Sequence, residues 1–136
     1  MGFNWFKILL GLAVVLLFVQ FGLGMYINLY VTLPMYQPLN FSSYSGGTLV
    51  LTHLVTGVLV LALAGLIVSY SVRCRERLVC ALAALGFAFA VAAAGTGYTF
   101  AVHSQDSSLS MAMAVSFLTI YTIYFSMLHL TSRIRP

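Results

Sequence analysis

Charge is what this sequence lacks most. Six basic and two acidic residues stand among 136, so 6% of the chain is charged, against roughly a quarter in soluble domains. Hydrophobic residues make up 62%, and the mean hydropathy is +1.05. Most of the surface must therefore face lipid, and the sequence predicts an integral membrane protein with the bilayer as its partner. The net charge of +4 predicts no nucleic-acid partner, because the basic residues flank apolar segments.

Cysteine and the motifs of common enzymes are also scarce. The two cysteines, Cys74 and Cys80, lie close together on the predicted cytoplasmic side, where a disulfide is not expected. No second pair completes a metal-binding pattern, so we expect both to be simple apolar residues. The sequence contains no P-loop, no G-x-S-x-G and no H-E-x-x-H stretch, and these absences remove the usual signatures of nucleotide and hydrolase sites. Whether the chain is an enzyme stays open.

Four long apolar runs dominate what is present. They predict helices at about 5–32, 48–71, 78–98 and 108–131, joined on the outer side by loops 33–47 and 99–107. A helix needs about 20 apolar residues to span a bilayer, and each run is long enough. The short loops predict an all-α fold, an antiparallel up-down-up-down four-helix bundle, with residues 1–136 as one transmembrane domain.

The basic residues give this bundle an orientation. All six lie on one predicted side: Lys7, Arg73, Arg75, Arg77, Arg133 and Arg135. By the positive-inside rule both termini are cytoplasmic, and we expect a multi-pass protein of the plasma membrane.

The third run is rich in small residues. Gly86, Ala90 and Ala94 recur every four residues, so a neighbouring helix can approach closely, and a homo-oligomer could form through this face. The first outer loop holds the sequon Asn40-Phe41-Ser42, a candidate for glycosylation that the sequence does not decide.

His53 lies inside the second apolar run, near its outer end. It is about five residues into the helix, roughly 8 Å deep at about 1.5 Å per residue. An ionisable side chain at that depth is a functional candidate and normally faces the bundle interior. The alternative is a structural histidine bonded to a neighbour such as Asn28, Thr52 or Ser110. Gly57, one turn further along the same face, would leave room for a flat macrocycle.

Two methionines in the stretch SLSMAMAVSF match His53 in depth. Met111 and Met113 lie about three and five residues into the fourth helix, which starts on the same outer side. Imidazole and thioether are an established axial pair for haem iron, so His53 with Met111 or Met113 predicts a site for haem b. The alternative is that each methionine only fills apolar space.

Polar residues near this level complete the predicted site. His103, in the second outer loop, is the rival second ligand of the iron. Asn28 and Asp106 would lie beside the haem, although Asp106 is also favourable simply as an acid at a helix N-terminus. Gln20 lies mid-membrane, where an amide usually bonds across helices.

The residues around His53 carry a distant family resemblance. LTHLVTGVLVLALAGLIV resembles the second helix of the four-helix module of haem A synthase, and GLGMYINLYVTLP resembles the exit of its first helix. The resemblance implies the four-helix fold and a haem-ligating role for His53. SMAMA replaces the family's fourth-helix histidine, so we do not expect haem A synthase activity. The sequence is also similar to small prokaryotic four-helix membrane proteins that share an NLYV…P helix exit, a second-helix histidine and an SSLxMA stretch.

These features give a leading hypothesis and two competitors. The leading one is a membrane protein that binds one b-type haem near its outer face, for electron transfer or haem handling in a respiratory chain. Its partners would be respiratory-complex subunits or a quinone. The first competitor is a non-catalytic accessory or structural subunit of a larger membrane complex without its own cofactor. The second is a membrane protein that binds a small molecule or lipid without a metal.

Overall fold

The fold consists of four long helices. A computed structural model describes residues 3–34, 40–74, 76–102 and 106–133. Its helices are α1 (Phe3–Tyr30), α2 (Gly47–Cys74), α3 (Arg77–Val102) and α4 (Ser107–Arg133), and the described residues contain no strand. The all-helical class and the number of helices predicted from the sequence are confirmed.

All four helices are long and apolar enough to cross a membrane. Their candidate spans have mean hydropathies between 1.7 and 2.5 over 25 to 27 residues, and a span needs about 20. The chain is thus a multi-pass membrane protein with four candidate spanning helices.

All eight helix ends differ from the predicted ones, by one to four residues. α1 ends at Tyr30 rather than at residue 32, and residues 31–34 are not helical. Pro34 limits how far the helix can extend, because a proline disfavours helical backbone at Leu33 before it. α3 continues to Val102, so residues 99–102 of the predicted second outer loop are helical. The stretch Thr99–Val102 contains no glycine or proline to stop the helix.

The helices form a ring in which each contacts two others. α1 packs against α2 and α4, and α3 packs against α2 and α4; within the described residues, α2 and α4 have no contact and lie on a diagonal. Each helix buries one row of residues spaced four, three and four apart, which we call the core row. The core rows are Phe6, Leu10, Ala13 and Leu17; Val60, Ala64, Ile67 and Ser71; Val79, Ala83, Gly86 and Ala90; and Ile120, Tyr124, Met127 and Thr131. This spacing is typical of left-handed bundles.

The dense core occupies only one half of the bundle. The core rows lie in the first halves of α1 and α3 and the second halves of α2 and α4, where they meet in one cluster. In the other half, the buried helical residues among those described are Ile27, Gly47 and Ser116. We call this the sparse half. His53, in the first part of α2, lies in the sparse half.

Two glycines shape the start of α2. Gly46 has a φ of 90°, a backbone conformation that favours glycine. A Cβ atom on Gly46 would lie 2.8 Å from Val31 Cγ2, and one on Gly47 would lie 1.9 Å from the Phe41 carbonyl oxygen. Glycine at these two positions lets the chain pack closely against Val31 and Phe41.

Candidate functional site

A cluster of three polar side chains links α1 to α2 in the sparse half. The Gln20 side-chain nitrogen lies 3.3 Å from Nε2 of His53, and the Thr56 hydroxyl donates a hydrogen bond to Oε1 of Gln20. Gln20 follows the core row of α1 at the same spacing, three residues after Leu17. His53 continues the α2 core row in the other direction, seven residues before Val60. Both side chains therefore point to the bundle interior, where polar groups need partners.

The Gln20 amide fixes the tautomer of His53. Because its Oε1 atom accepts from Thr56, its NH₂ group faces the imidazole and donates to Nε2 of His53. A neutral imidazole carries one proton, so that proton is on Nδ1. The Nδ1 atom is buried and has no hydrogen-bond partner among the described residues. An unpaired buried donor costs about 1–3 kcal/mol.

Both side chains of the Gln20–His53 pair pack against a glycine, at a position where a larger residue would crowd them. A Cβ atom on Gly24 would lie 3.0 Å from Cε1 of His53 and 3.8 Å from its Nδ1. A Cβ atom on Gly57 would lie 2.9 Å from the side-chain nitrogen of Gln20. The space at Gly57, expected to leave room for a macrocycle, is thus used by the Gln20 amide.

Met113 has the same relation to α3 as His53 has to α1. Its sulfur lies 3.3 Å from the position of a Cβ atom on Gly97. In the first pair, Gly24 lies six residues before the end of α1 and His53 lies six after the start of α2. In the second pair, Gly97 lies five residues before the end of α3 and Met113 lies six after the start of α4. In each hairpin, a glycine near the end of the first helix receives the side chain of the second.

The remaining predicted site residues do not join this cluster. Met111 is 70% exposed, because two residues along a helix turn a side chain to the opposite face. Met113 therefore replaces Met111 as the methionine that could meet His53 inside the bundle. Asn28 is exposed near the end of α1. His103 lies outside the described residues.

Asp106 caps the start of α4. The Ser108 backbone N–H donates to its Oδ1 atom at 2.9 Å, and the Leu109 N–H donates to its carbonyl oxygen at 3.1 Å. These are the bonds of an N-cap residue. The Ser108 N–H also lowers the pKa of the Asp106 carboxyl, since it stabilises the charged form.

The core holds a second buried polar atom without a partner. Tyr124 is fully buried and its hydroxyl has no hydrogen-bond partner among the described residues. Gly86 makes room for its ring, because a Cβ atom there would lie 2.6 Å from Cε1 of Tyr124. Gly86 and Ala90 are buried here, so these two members of the small-residue face of α3 are used inside the chain.

Sequence reasoning missed Thr56, Gly24 and Gly97, and it did not pair Gln20 with His53. The spacing of the core row could have indicated the α1 residues of the cluster. Continued beyond Leu17 at alternating steps of three and four, it passes through Gln20, Gly24 and Ile27. Across the described ranges, no group of three His, Cys, Asp or Glu side chains is arranged to hold a metal ion.

The chain was compared with protein-family models, with curated proteins and with solved structures, and none of the three comparisons found a match.

Proposed function

We propose that the chain is a plasma-membrane protein with an antiparallel up-down-up-down bundle and both termini in the cytoplasm. Contacts between α3 and α4 support the antiparallel order, since Gly86 lies against Tyr124 while Gly97 lies against Met113. Contacts between α1 and α4 agree, because Phe18 is paired with Tyr121 and Phe21 with Phe117. The basic residues support the orientation, because those in the described ranges then lie at the dense end: Lys7, Arg73, Arg77 and Arg133. The sparse half faces the outer leaflet.

Within this frame we propose that the chain binds a small lipophilic molecule at His53, without a metal. The observation that carries the proposal is the buried Nδ1 atom of His53, which has no partner among the described residues. The surroundings support it as well. Packing at this level is loose, because no residue of α3 beyond Ala90 is fully buried in the described range.

Chemical analysis of the purified protein tests this proposal. Wild type, His53→Leu and Tyr124→Phe are purified in mild detergent, extracted with organic solvent, and the extracts compared by mass spectrometry. We expect a compound near one-to-one stoichiometry in wild type and Tyr124→Phe, and its loss in His53→Leu. Tyr124→Phe is the matched control, because it removes the other unpaired buried polar atom. Equal extracts from wild type and His53→Leu would overturn the proposal.

A second variant guards against misfolding of His53→Leu. In Gly24→Ala the new methyl group would lie 3.0 Å from the imidazole, so the ring must shift while remaining present. We expect weaker retention of the compound with an unchanged elution volume in gel filtration. Full retention in a folded Gly24→Ala protein would count against a site at this ring edge.

Haem binding is the second candidate. It is supported by His53 and Met113, which lie at equal depth from their loops on diagonal helices, the arrangement of an axial pair. The hydrogen bonds speak against it, because Nε2 accepts from Gln20 and Nδ1 carries the proton, so neither nitrogen offers a free lone pair. The residues do not fit haem in this arrangement. A Soret band that is lost in Met113→Leu but kept in Met111→Leu would establish haem over the metal-free ligand.

The accessory-subunit hypothesis also remains a prediction. Its support is the size of the chain and its apolar surface, with large exposed side chains on all four helices. A second copy or another subunit would have to meet α3 on a face other than that of Gly86 and Ala90, because both are buried inside the chain. Co-purification of defined subunits with wild type, unchanged in His53→Leu, would favour this role over ligand binding.

A further inference from the structure

We infer that His53 recognises its ligand as a hydrogen-bond donor, so that the ligand contributes an uncharged carbonyl oxygen to the Nδ1–H group. The inference rests on the proposed function and deepens it, since it names the contacting atom and the chemistry of the ligand. The chemical class is a lipophilic carbonyl compound: the ring carbonyl of a quinone or the ester carbonyl of an acyl lipid.

The direction of the hydrogen bonds begins at Thr56. Its hydroxyl lies within hydrogen-bond distance of Gln20 Oε1 and of two backbone carbonyl oxygens, those of Thr52 at 2.9 Å and His53 at 3.0 Å. The Gln20 atom beside this hydroxyl is the amide oxygen, which accepts hydrogen bonds and cannot donate them. Thr56 is therefore the donor to Gln20, and turning the amide would replace this bond by one in which the NH₂ group donates to the hydroxyl.

The orientation of the Gln20 amide then determines which nitrogen of His53 carries the proton. With Oε1 held by Thr56, the NH₂ group donates to Nε2 and leaves the imidazole proton on Nδ1. If the amide were turned, Gln20 Oε1 would accept from an Nε2–H group, and Nδ1 would carry a lone pair suited to a metal. Gln20 and Thr56 are thus positioning residues that select an acceptor ligand over a metal ion.

The surroundings of Nδ1 favour a carbonyl over other acceptors. A hydroxyl oxygen also accepts a hydrogen bond, but it brings a proton of its own that needs an acceptor in the bilayer. Gly24, which packs against this edge of the imidazole, has no side chain to accept it. A carboxylate would carry a charge to this depth at a large cost. A quinone should therefore bind several-fold more tightly than its quinol.

Nitrogen NMR of the full-length protein tests the inference directly. The chain is labelled with ¹⁵N at histidine and placed in nanodiscs of ether-linked phosphatidylcholine, which has no acyl carbonyl. His53→Gln assigns the His53 signals by their loss. We expect the proton on Nδ1, a saturable shift of the Nδ1 signal with a short-chain 1,4-benzoquinone, and a much smaller shift with the hydroquinone.

A change of lipid separates the two sources of the carbonyl. If an acyl lipid is the ligand, the Nδ1 signal shifts when ester-linked lipid replaces ether-linked lipid, with no quinone present. If a quinone is the ligand, this replacement has no effect and only the quinone shifts the signal. Either result supports the inference. A proton on Nε2, or an Nδ1 signal unchanged by both quinone and ester lipid, would overturn it.

Variants of the positioning residues give a readout that a purely structural role would not move. In Gln20→Leu, Nε2 loses its donor, so we expect a mixture of the two His53 tautomers, whereas Tyr124→Phe should leave Nδ1–H intact. The failures of the inference and of the proposed function differ. A His53-dependent compound in the solvent extract combined with a proton on Nε2 would refute the inference alone, whereas equal extracts from wild type and His53→Leu would refute the function.

Discussion

Gln20 and Thr56 face each other across the α1–α2 interface, with the hydroxyl of Thr56 donating to the amide oxygen of Gln20. The bond joins side chains 36 positions apart in the chain and fixes the rotation of α1 relative to α2 at the level of His53. In hydrocarbon, such a bond is retained because the separated groups find few other partners.

The Gln20–Thr56 pair should contribute measurably to stability. We expect Gln20→Leu and Thr56→Val each to lower the free energy of unfolding by about 1 kcal/mol. The double variant should cost less than the sum of the two, since both remove the same bond. Unfolding in mixed detergent micelles measures this. Strict additivity of the two changes would show that the pair does not interact.

Gly86 should resist substitution where Gly95 does not. A Cβ atom on Gly86 would lie 2.6 Å from a ring carbon of the fully buried Tyr124, whereas one on Gly95 would meet nothing within 4 Å. We expect Gly86→Ala to destabilise the fold by about 1–3 kcal/mol, and Gly95→Ala to be neutral or to stabilise it by up to about 1 kcal/mol. Thermal unfolding of the two variants compares a crowded and an open position on one helix. A tolerated Gly86→Ala would contradict the α3–α4 packing.

Gly46 should be required for its backbone conformation. Its φ of 90° is unfavourable for alanine, and Val31 crowds the position of a Cβ atom. We expect Gly46→Ala to cost about 1–2 kcal/mol from the backbone alone. Gly11→Ala is the control, because Gly11 is helical and a Cβ atom there would meet nothing within 4 Å. Equal stability of the two variants would exclude the left-handed turn before α2.

The start of α4 should loosen in acid. The Ser108 backbone N–H holds the pKa of Asp106 below its ordinary value of 3.8. The cap therefore stabilises α4 fully above that value and loses its effect as the pH falls through the lower, folded pKa. Amide exchange of the first turn should accelerate across this acid range. In Asp106→Asn, which keeps an acceptor oxygen but no charge, the acceleration should vanish; if it persists, another group is responsible.

Cysteine labelling tests the orientation of the bundle. In a background with Cys74→Ser and Cys80→Ser, a cysteine is placed at the exposed Ser45 or at the exposed Glu76. A membrane-impermeant maleimide applied to intact cells should modify Ser45→Cys and leave Glu76→Cys unmodified until the membrane is opened. The reverse pattern would place the termini outside, and labelling of both positions in intact cells would contradict the up-down order.

The sequence predicts the helices because hydropathy alone decides them, but it does not predict how they face each other. All faces of α1 are apolar, so its sequence pattern does not indicate which face turns toward the bundle interior. For this reason the sequence does not place Gln20 beside His53. The sequence indicates Asn28, Thr52 or Ser110 as a partner for His53, whereas the partner in the structure is Gln20. The four-three spacing of the core row would have aligned Gln20 and His53 with Leu17 and Val60.

The two methionines also show that position along a helix is predictable from sequence, whereas the rotation of the helix is not. Met111 and Met113 were equivalent by depth, which depends only on position along the helix. Rotation separates them, since Met113 packs at Gly97 whereas Met111 is 70% exposed. Rotation depends on contacts between helices far apart in sequence, and no local pattern reports these contacts.

The unequal packing of the two halves has a dynamic consequence. Free energies of local opening follow the number of buried apolar contacts, so they should fall along each helix from the dense end to the sparse end. The dense end of the bundle should therefore be rigid and the sparse end more mobile. The helix ends near His53 can separate while the dense end stays packed. A ligand could then enter between the helices from the lipid without unfolding the protein.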